Sequence, residues 1–203
     1  MKKAVKTKQA IMEAAKTLLQ QKGSVTVKEI AELAHVNVAA INYHFTDKEN
    51  LINLVINSLL EELKNMVEQY LGYDNTQTET AKKYLNSFIH RFYDFAIENV
   101  GILNYMLFPQ NKNALESATE NFEAIFSMDS DLSDKVIKRL ALMRKESDPV
   151  KLKVKYGLLL TGFLLPLLTQ INKRPLFKSA PDLLTDNQLK DAYIDEMINL
   201  ILN

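Results

Sequence analysis

Cysteine is absent from these 203 residues. That excludes a disulfide framework and a thiolate metal site, and it fits a reducing cytoplasm. Proline occurs only at 109, 149, 166, 175 and 181, so the first 108 residues lack the residue that most readily breaks a helix. No glycine-rich phosphate loop, nucleophile elbow or zinc spacing is present, and no cofactor, metal or enzymatic activity is expected. Long apolar runs are missing too. The most apolar, residues 156–168, is 13 residues long and broken by Thr161 and Pro166, too short for a membrane span and right for a buried helix. The opening Met1-Lys2-Lys3-Ala4-Val5-Lys6 leads into amphipathic sequence instead of the apolar block of a signal peptide. Alternating apolar–polar runs do not persist, so the chain reads as all-α.

What is present suits a helical protein with an ample core: 47% hydrophobic and 25% charged residues. Residues 7–21 place Ile11, Ala14, Ala15, Leu18 and Leu19 on one face, and Gly23 stops that helix. A long helix over 48–71 carries Leu51, Leu54, Val55, Leu59, Leu63, Met66 and Tyr70. Residues 78–99 add an aromatic stripe, Tyr84, Phe88, Phe92 and Phe95, and Gly101 then opens a short apolar piece that Pro109 closes. Further helices are expected over 114–127, 132–145 and 149–172, the last opened by Asp148-Pro149. Thr185 and Gln188 read as a capping box for the final helix.

The informative stretch is residues 24–50, with three helix starts in succession. Thr26 with Glu29, and Thr46 with Glu49, have capping-box spacing, and Asn37 between them is a good N-cap. The first short helix turns Ile30, Ala31, Leu33 and Ala34 inward; the second has only Ile41 and Phe45 as anchors. A seven-residue helix with so narrow an apolar side must be held by its neighbours, which leaves its other face free. This is the pattern of a helix-turn-helix, whose second helix enters the major groove of DNA.

The segments Thr26-Val27-Lys28-Glu29-Ile30-Ala31, Ala34-His35-Val36-Asn37 and Ile41-Asn42-Tyr43-His44-Phe45-Thr46-Asp47-Lys48-Glu49-Asn50-Leu51 resemble the tetracycline-repressor (TetR) family of transcriptional regulators over roughly residues 5–52. His35 and Ala39 stand where that family commonly has glycine, and Asn42 where it commonly has Tyr or Trp. The resemblance implies a homodimeric regulator. Its DNA-binding domain would be residues 1–50, and residues 51–203 would bind an effector and dimerise. A repressor released by a small, mainly apolar ligand is the leading reading. An activator or a chromosome-organising DNA binder, or a helical small-molecule-binding protein with a vestigial head, are the alternatives. The partners expected are an imperfectly palindromic duplex and a second copy of the chain, with no membrane.

The candidate DNA contacts are Thr26, Val27, Lys28, Val38, Ala39, Ala40, Asn42, Tyr43, His44 and Lys48. Lys48, Tyr43, His44 and the Thr26 hydroxyl suit phosphates, whereas Asn42 and the small apolar groups suit base edges and thymine methyls. Net charge is zero, yet residues 1–50 hold eight lysines against five acids, and local charge governs phosphate contact. Candidates for an effector wall are Phe88, Phe92, Asn104, Tyr105, Phe108, Phe122, Phe126, Tyr156 and Phe163, with Gln110 beside them. The helix over 149–172 has no polar face between Tyr156 and Leu168, so one side needs a partner chain. Leu160, Phe163, Leu164, Leu167, Ile194 and Ile198 are the candidates for that seam, with Gly157, Thr161 and Gly162 permitting close approach. Glu32 and His35 have a di-metal spacing but no second copy, and His90 reads as a surface histidine near Asp94.

Overall fold

A computed structural model describes residues 2–72, 78–107, 127, 129–171 and 186–202. Among these residues there is no strand. The helices are α1 (Lys2–Lys22), α2 (Val27–Leu33), α3 (Val38–His44), α4 (Lys48–Leu71), α5 (Thr78–Glu98), α6 (Val100–Leu107), α7 (Asp131–Arg144), α8 (Pro149–Ile171) and α9 (Asn187–Leu202). They divide into two compact units, Met1–Leu63 with Glu98–Ala118, and Lys64–Ile97 with Thr119–Asn203. The helix expected over 114–127 lies outside the described residues, save Ser127.

In the first unit α1 packs on α2, α3 and α6 through the expected face, with Ile11, Ala15 and Leu19 fully buried. It begins at Lys2, five residues before the expected start, because Lys-Ala-Val-Lys-Thr-Lys holds no proline or glycine to break a helix. The capping box of α2 is present: Thr26 Oγ1 accepts from Glu29 N at 3.2 Å and Glu29 Oε2 accepts from Thr26 N at 2.8 Å. Ile30 and Ala31 are buried, but Leu33 is 45% exposed, contrary to its expected inward position. It lies at the end of a helix too short to turn three apolar residues and Leu33 to one side. The exit from α2 is a Schellman turn. His35, at φ 54°, donates to Glu32 O at 3.2 Å, and Val36 donates to Ala31 O at 3.0 Å.

Asn37 caps α3 through Ala40 N at 2.8 Å, and Ile41 and Phe45 are its buried anchors. At α4 the cap differs from expectation. Asp47 Oδ1 accepts from Asn50 N at 2.7 Å, so Asp47 and not Thr46 starts the helix. Glu49 is thereby released to accept from the Tyr105 hydroxyl of α6 at 2.9 Å. Gly101 is not a break before a short piece but lies within α6. A Cβ there would stand 2.0 Å from Leu19 O and 2.5 Å from Gln20 O. Only glycine lets α6 lie this close to the end of α1, where Gln20 also donates to the buried Asn99 at 2.8 Å.

In the second unit α8 packs on α7 and α9. Leu152, Tyr156, Leu159, Phe163 and Leu167 form its buried line, and Ile194, Met197, Ile198 and Ile201 form that of α9. Tyr93 of α5, which no sequence pattern singles out, is completely buried. Its hydroxyl and that of Tyr193 both donate to Gly162 O at 2.9 Å, and burial raises the pKa of both phenols. Asp148 caps α8 as expected, through Val150 N at 2.9 Å. The cap of α9 is Asp186, which accepts from Gln188 N and Leu189 N at 2.9 and 3.1 Å. Thr185 lies outside the described residues. Arg144 and Lys155 donate to the carbonyls of Ile201 and Leu200, placing two cations at the negative end of α9. His90 does meet an acid, but it is Asp191 of α9 at 2.9 Å; Asp94 pairs with Lys190 instead.

Candidate nucleic-acid interface and effector cavity

The free side of α3 is built by subtraction. Ile41 and Phe45 are 1% and 2% exposed, which turns the remaining side chains outward. Val38 is 43% and Tyr43 83% exposed, and Ala39 and Asn42 are exposed as well. Ala40, His44 and Lys48 are half-buried beside them. Small groups around one amide side chain let the helix approach a surface closely while Asn42 supplies both a donor and an acceptor. Lys28 of α2 is exposed and at 4.0 Å from Glu32, and Lys48 is 3.8 Å from Glu49, so neither ammonium is tightly held. Val27 is half-buried. The Thr26 hydroxyl is otherwise engaged: it donates to Glu29 Oε2 at 2.8 Å within the capping box. Lys22 at 2.8 Å, together with Thr26, lowers the Glu29 pKa to about 2.

The second unit holds a cavity of about 70 Å³. Four of the residues singled out from the sequence line it: Phe88, Phe92, Tyr156 and Phe163. Tyr70 stacks on Phe88 with ring centroids 4.4 Å apart, and Phe92 leans on Phe163 at 4.7 Å. Arg139 of α7 supplies the one charged group among the lining residues, and burial pushes the Tyr70 phenol up to about 12. Asn104 and Tyr105 belong instead to the first unit, where Asn104 lies beside Gly23 and Tyr105 is bound to Glu49. Phe108, Gln110, Phe122 and Phe126 lie outside the described residues. Periodicity marks the aromatic stripe of α5 and turns Val136, Leu140 and Met143 of α7 inward, but it does not show that they reach the same wall, and it misses Leu132.

The expected seam residues separate into two sets. Phe163, Leu167, Ile194 and Ile198 are 7%, 5%, 0% and 0% exposed within the single chain. Their side chains fill the unit's own core, so the expectation that they face a partner does not fit this packing. Leu160 lines the cavity, and Gly162 is pressed against Met197 of the same chain. Leu164 lies on the outer side. There an open groove of about 710 Å³ runs between α8 and α9 beside Leu158, Thr161, Leu165, Leu168 and Leu200. Leu158, Leu165 and Leu200 are 43%, 60% and 62% exposed. By length and composition alone Pro149–Thr169 could also cross a membrane, being longer than its uninterrupted apolar run. Its inner face is nonetheless part of the core.

Residues 11–55 match the family described as bacterial regulatory proteins, tetR family. The chain is 37% identical over 76 residues to a Bacillus subtilis protein named "Probable HTH-type transcriptional regulator YttP". That match spans 36% of this chain and 37% of the relative. In structure the chain is similar to a protein from Mesorhizobium loti assigned to the tetR family of transcriptional regulators, with a TM-score of 0.66 at 15% identity. The likeness covers 98% of this chain and 96% of that one. It is also similar to a transcriptional regulator from Rhodococcus sp. Rha1, with a TM-score of 0.62 at 15% identity over 98% and 95% of the two chains. At that identity the structural likenesses speak for the fold.

Proposed function

We propose that this chain, whose residues 11–55 match the tetR family of bacterial regulatory proteins, is a DNA-binding transcriptional regulator of that family. In this reading it is a cytoplasmic homodimer whose α3 helices enter successive major grooves. The observation that carries the reading is the free face of α3: small side chains and one exposed amide, on a helix held only by Ile41 and Phe45. Asn42 reads a base edge, Ala39 and Ala40 meet thymine methyls, and Tyr43, His44, Lys48 and Lys28 engage phosphates. Two-fold symmetry makes the operator an imperfect palindrome with half-sites one or more helical turns apart.

The same proposal makes the chain a repressor released by a small, mainly apolar effector bound in the second unit. Phe88, Phe92, Tyr156 and Phe163 support this by lining a cavity that is apolar almost throughout. Its 70 Å³ is well below the roughly 300–1,000 Å³ of occupied ligand sites. The effector therefore binds by enlarging the cavity, and the state it favours differs from the one described. A tenfold loss of operator affinity requires about 1.4 kcal/mol of differential binding between the two states.

The test is selection of genomic fragments bound by the purified protein, beginning with DNA beside its own gene. An affinity that does not depend on sequence would reject the reading of a specific regulator. For any effector then found, operator affinity with and without it and its own affinity with and without operator must change by the same factor. Tight binding of the effector with no effect on the operator would leave the second unit as a dimerisation module.

A further inference from the structure

The positive charge of the first fifty residues is concentrated in the first eight. Four of the eight lysines are Lys2, Lys3, Lys6 and Lys8, and residues 9–50 hold four lysines against five acids. Those four later lysines are each in an ion pair: Lys16 with Glu62 at 2.7 Å, Lys22 with Glu29 at 2.8 Å, Lys28 with Glu32 at 4.0 Å and Lys48 with Glu49 at 3.8 Å. Among the described residues no carboxylate pairs with Lys6 or Lys8.

The patch is also built at the expense of the helix that carries it. There is no acidic residue in the first turn of α1, so its cations sit unopposed at the positive end of the helix dipole. The described side chains of these turns contribute nothing to the core. Ala4, Val5, Lys6, Lys8, Gln9 and Ala10 are exposed, and the first buried residue is Ile11. Yet one of these lysines, Lys8, is joined to the candidate interface. The Lys8 ammonium stands 5.6 Å from the centre of the Phe45 ring, and Phe45 is the residue that ends α3 directly after Asn42, Tyr43 and His44.

We propose that the first two turns of α1 are a second phosphate-binding element, in which Lys6 and Lys8 grip the DNA backbone outside the major-groove contact. This rests on the DNA-binding reading above and extends it to residues that the helix-turn-helix pattern does not include. The element binds without regard to sequence and supplies the net attraction that residues 9–50 lack.

The experiment uses the full chain and a mixed-sequence duplex of about 30 base pairs, with affinity measured from about 50 to 200 mM salt. The Lys6→Gln/Lys8→Gln variant should bind more weakly, and its slope of log affinity against log salt should fall by about one unit for each phosphate no longer neutralised. Lys6→Arg/Lys8→Arg should keep the slope, and so should Lys138→Gln, an exposed lysine of α7. Thermal stability of the glutamine variant should change little, since Lys6 and Lys8 are exposed and lie beyond the first turn of α1. Wild-type binding with the same affinity and slope in the glutamine variant would overturn the element and spare the DNA-binding reading. A wild type that binds no duplex at all would overturn both.

Discussion

Among the described residues, two exposed faces are opposite in character. On α3 the exposed groups are small or polar, Ala39, Asn42 and the rim of Val38 and Tyr43. On the outside of α8 and α9 they are large and aliphatic, Leu158, Leu165 and Leu200. The first face suits a polar partner, whose recognition depends on close approach and a few directed hydrogen bonds. The second suits an apolar partner, whose attraction grows with area at roughly 25 cal/mol per Å². Its continuity along two helices, beside an open groove of about 710 Å³, favours a second copy of the same face. In the proposed function the first face would carry specificity and the second assembly.

The contrast is broken most severely by charge on the aliphatic face. Leu165→Glu should convert a micromolar dimer to a monomer, because the dimer would bury an unpaired carboxylate. It should leave the unit folded, since Leu165 is 60% exposed in the single chain. Phe163→Glu, at 7% exposure, should instead unfold the unit. Sedimentation velocity and helix content separate the two outcomes. A wild-type monomer, or a Leu165→Glu dimer, would mean that something else covers this face.

On the polar face the expected effects are smaller and divide by role. Asn42→Ala should lose about 1–3 kcal/mol against the preferred operator and relax one of its positions. Lys48→Ala should weaken all sequences alike and lower the salt slope by about one unit for each phosphate it ceases to neutralise. Affinity measured on the operator and on a scrambled duplex at several salt concentrations distinguishes them. An equal loss on every sequence for both variants would contradict the division into reading and positioning.

A third effect lies at the support of that face. Thr26→Ala removes the cap of α2 and should destabilise the first unit by about 1 kcal/mol. Glu29 completes the box, with its pKa lowered from 4.5 to about 2 by Lys22 first and then Thr26. A lowered carboxylate pKa contributes stability above the unfolded value. The advantage of wild type over Glu29→Gln should thus be full above about pH 4.5 and fade as pH falls toward 2. Urea denaturation of the two proteins across that range is the measurement.

The polar face is more legible in the sequence than the aliphatic one, for a physical reason. Caps and turns are local chemistry, so Thr26, Asn37 and Asp148 can be placed from neighbours alone. Where two candidate caps are adjacent, the distant partner decides. Tyr105 takes Glu49, and Asp47 is left to start α4. Gly101 reads as a break because only the backbone of Leu19 and Gln20 shows that it is a crossing point. A helix apolar all round, such as α8, announces that it is covered without saying which side its own chain covers. That is why the sequence puts Phe163 and Leu167 at a seam and does not single out Leu158 and Leu165 for it.

The smallest effect concerns the turn that aims α3. His35 is exposed and holds φ 54°, where a Cβ crowds the following carbonyl. The two Schellman bonds, His35 N to Glu32 O and Val36 N to Ala31 O, require that conformation whichever residue occupies the position. His35→Gly relieves a strain of about 1–2 kcal/mol. It also gives the unfolded chain more freedom, which offsets about 0.4–1 kcal/mol of that gain. The net change should be a stabilisation of between zero and about 1.6 kcal/mol, read as a small rise in urea midpoint with unchanged slope. Because the backbone path is kept, α3 should stay aimed as before, and operator affinity and sequence preference should not change. A clear loss of affinity in a protein of equal or greater stability would show that the imidazole itself touches DNA, and would extend the polar face from α3 into the turn before it.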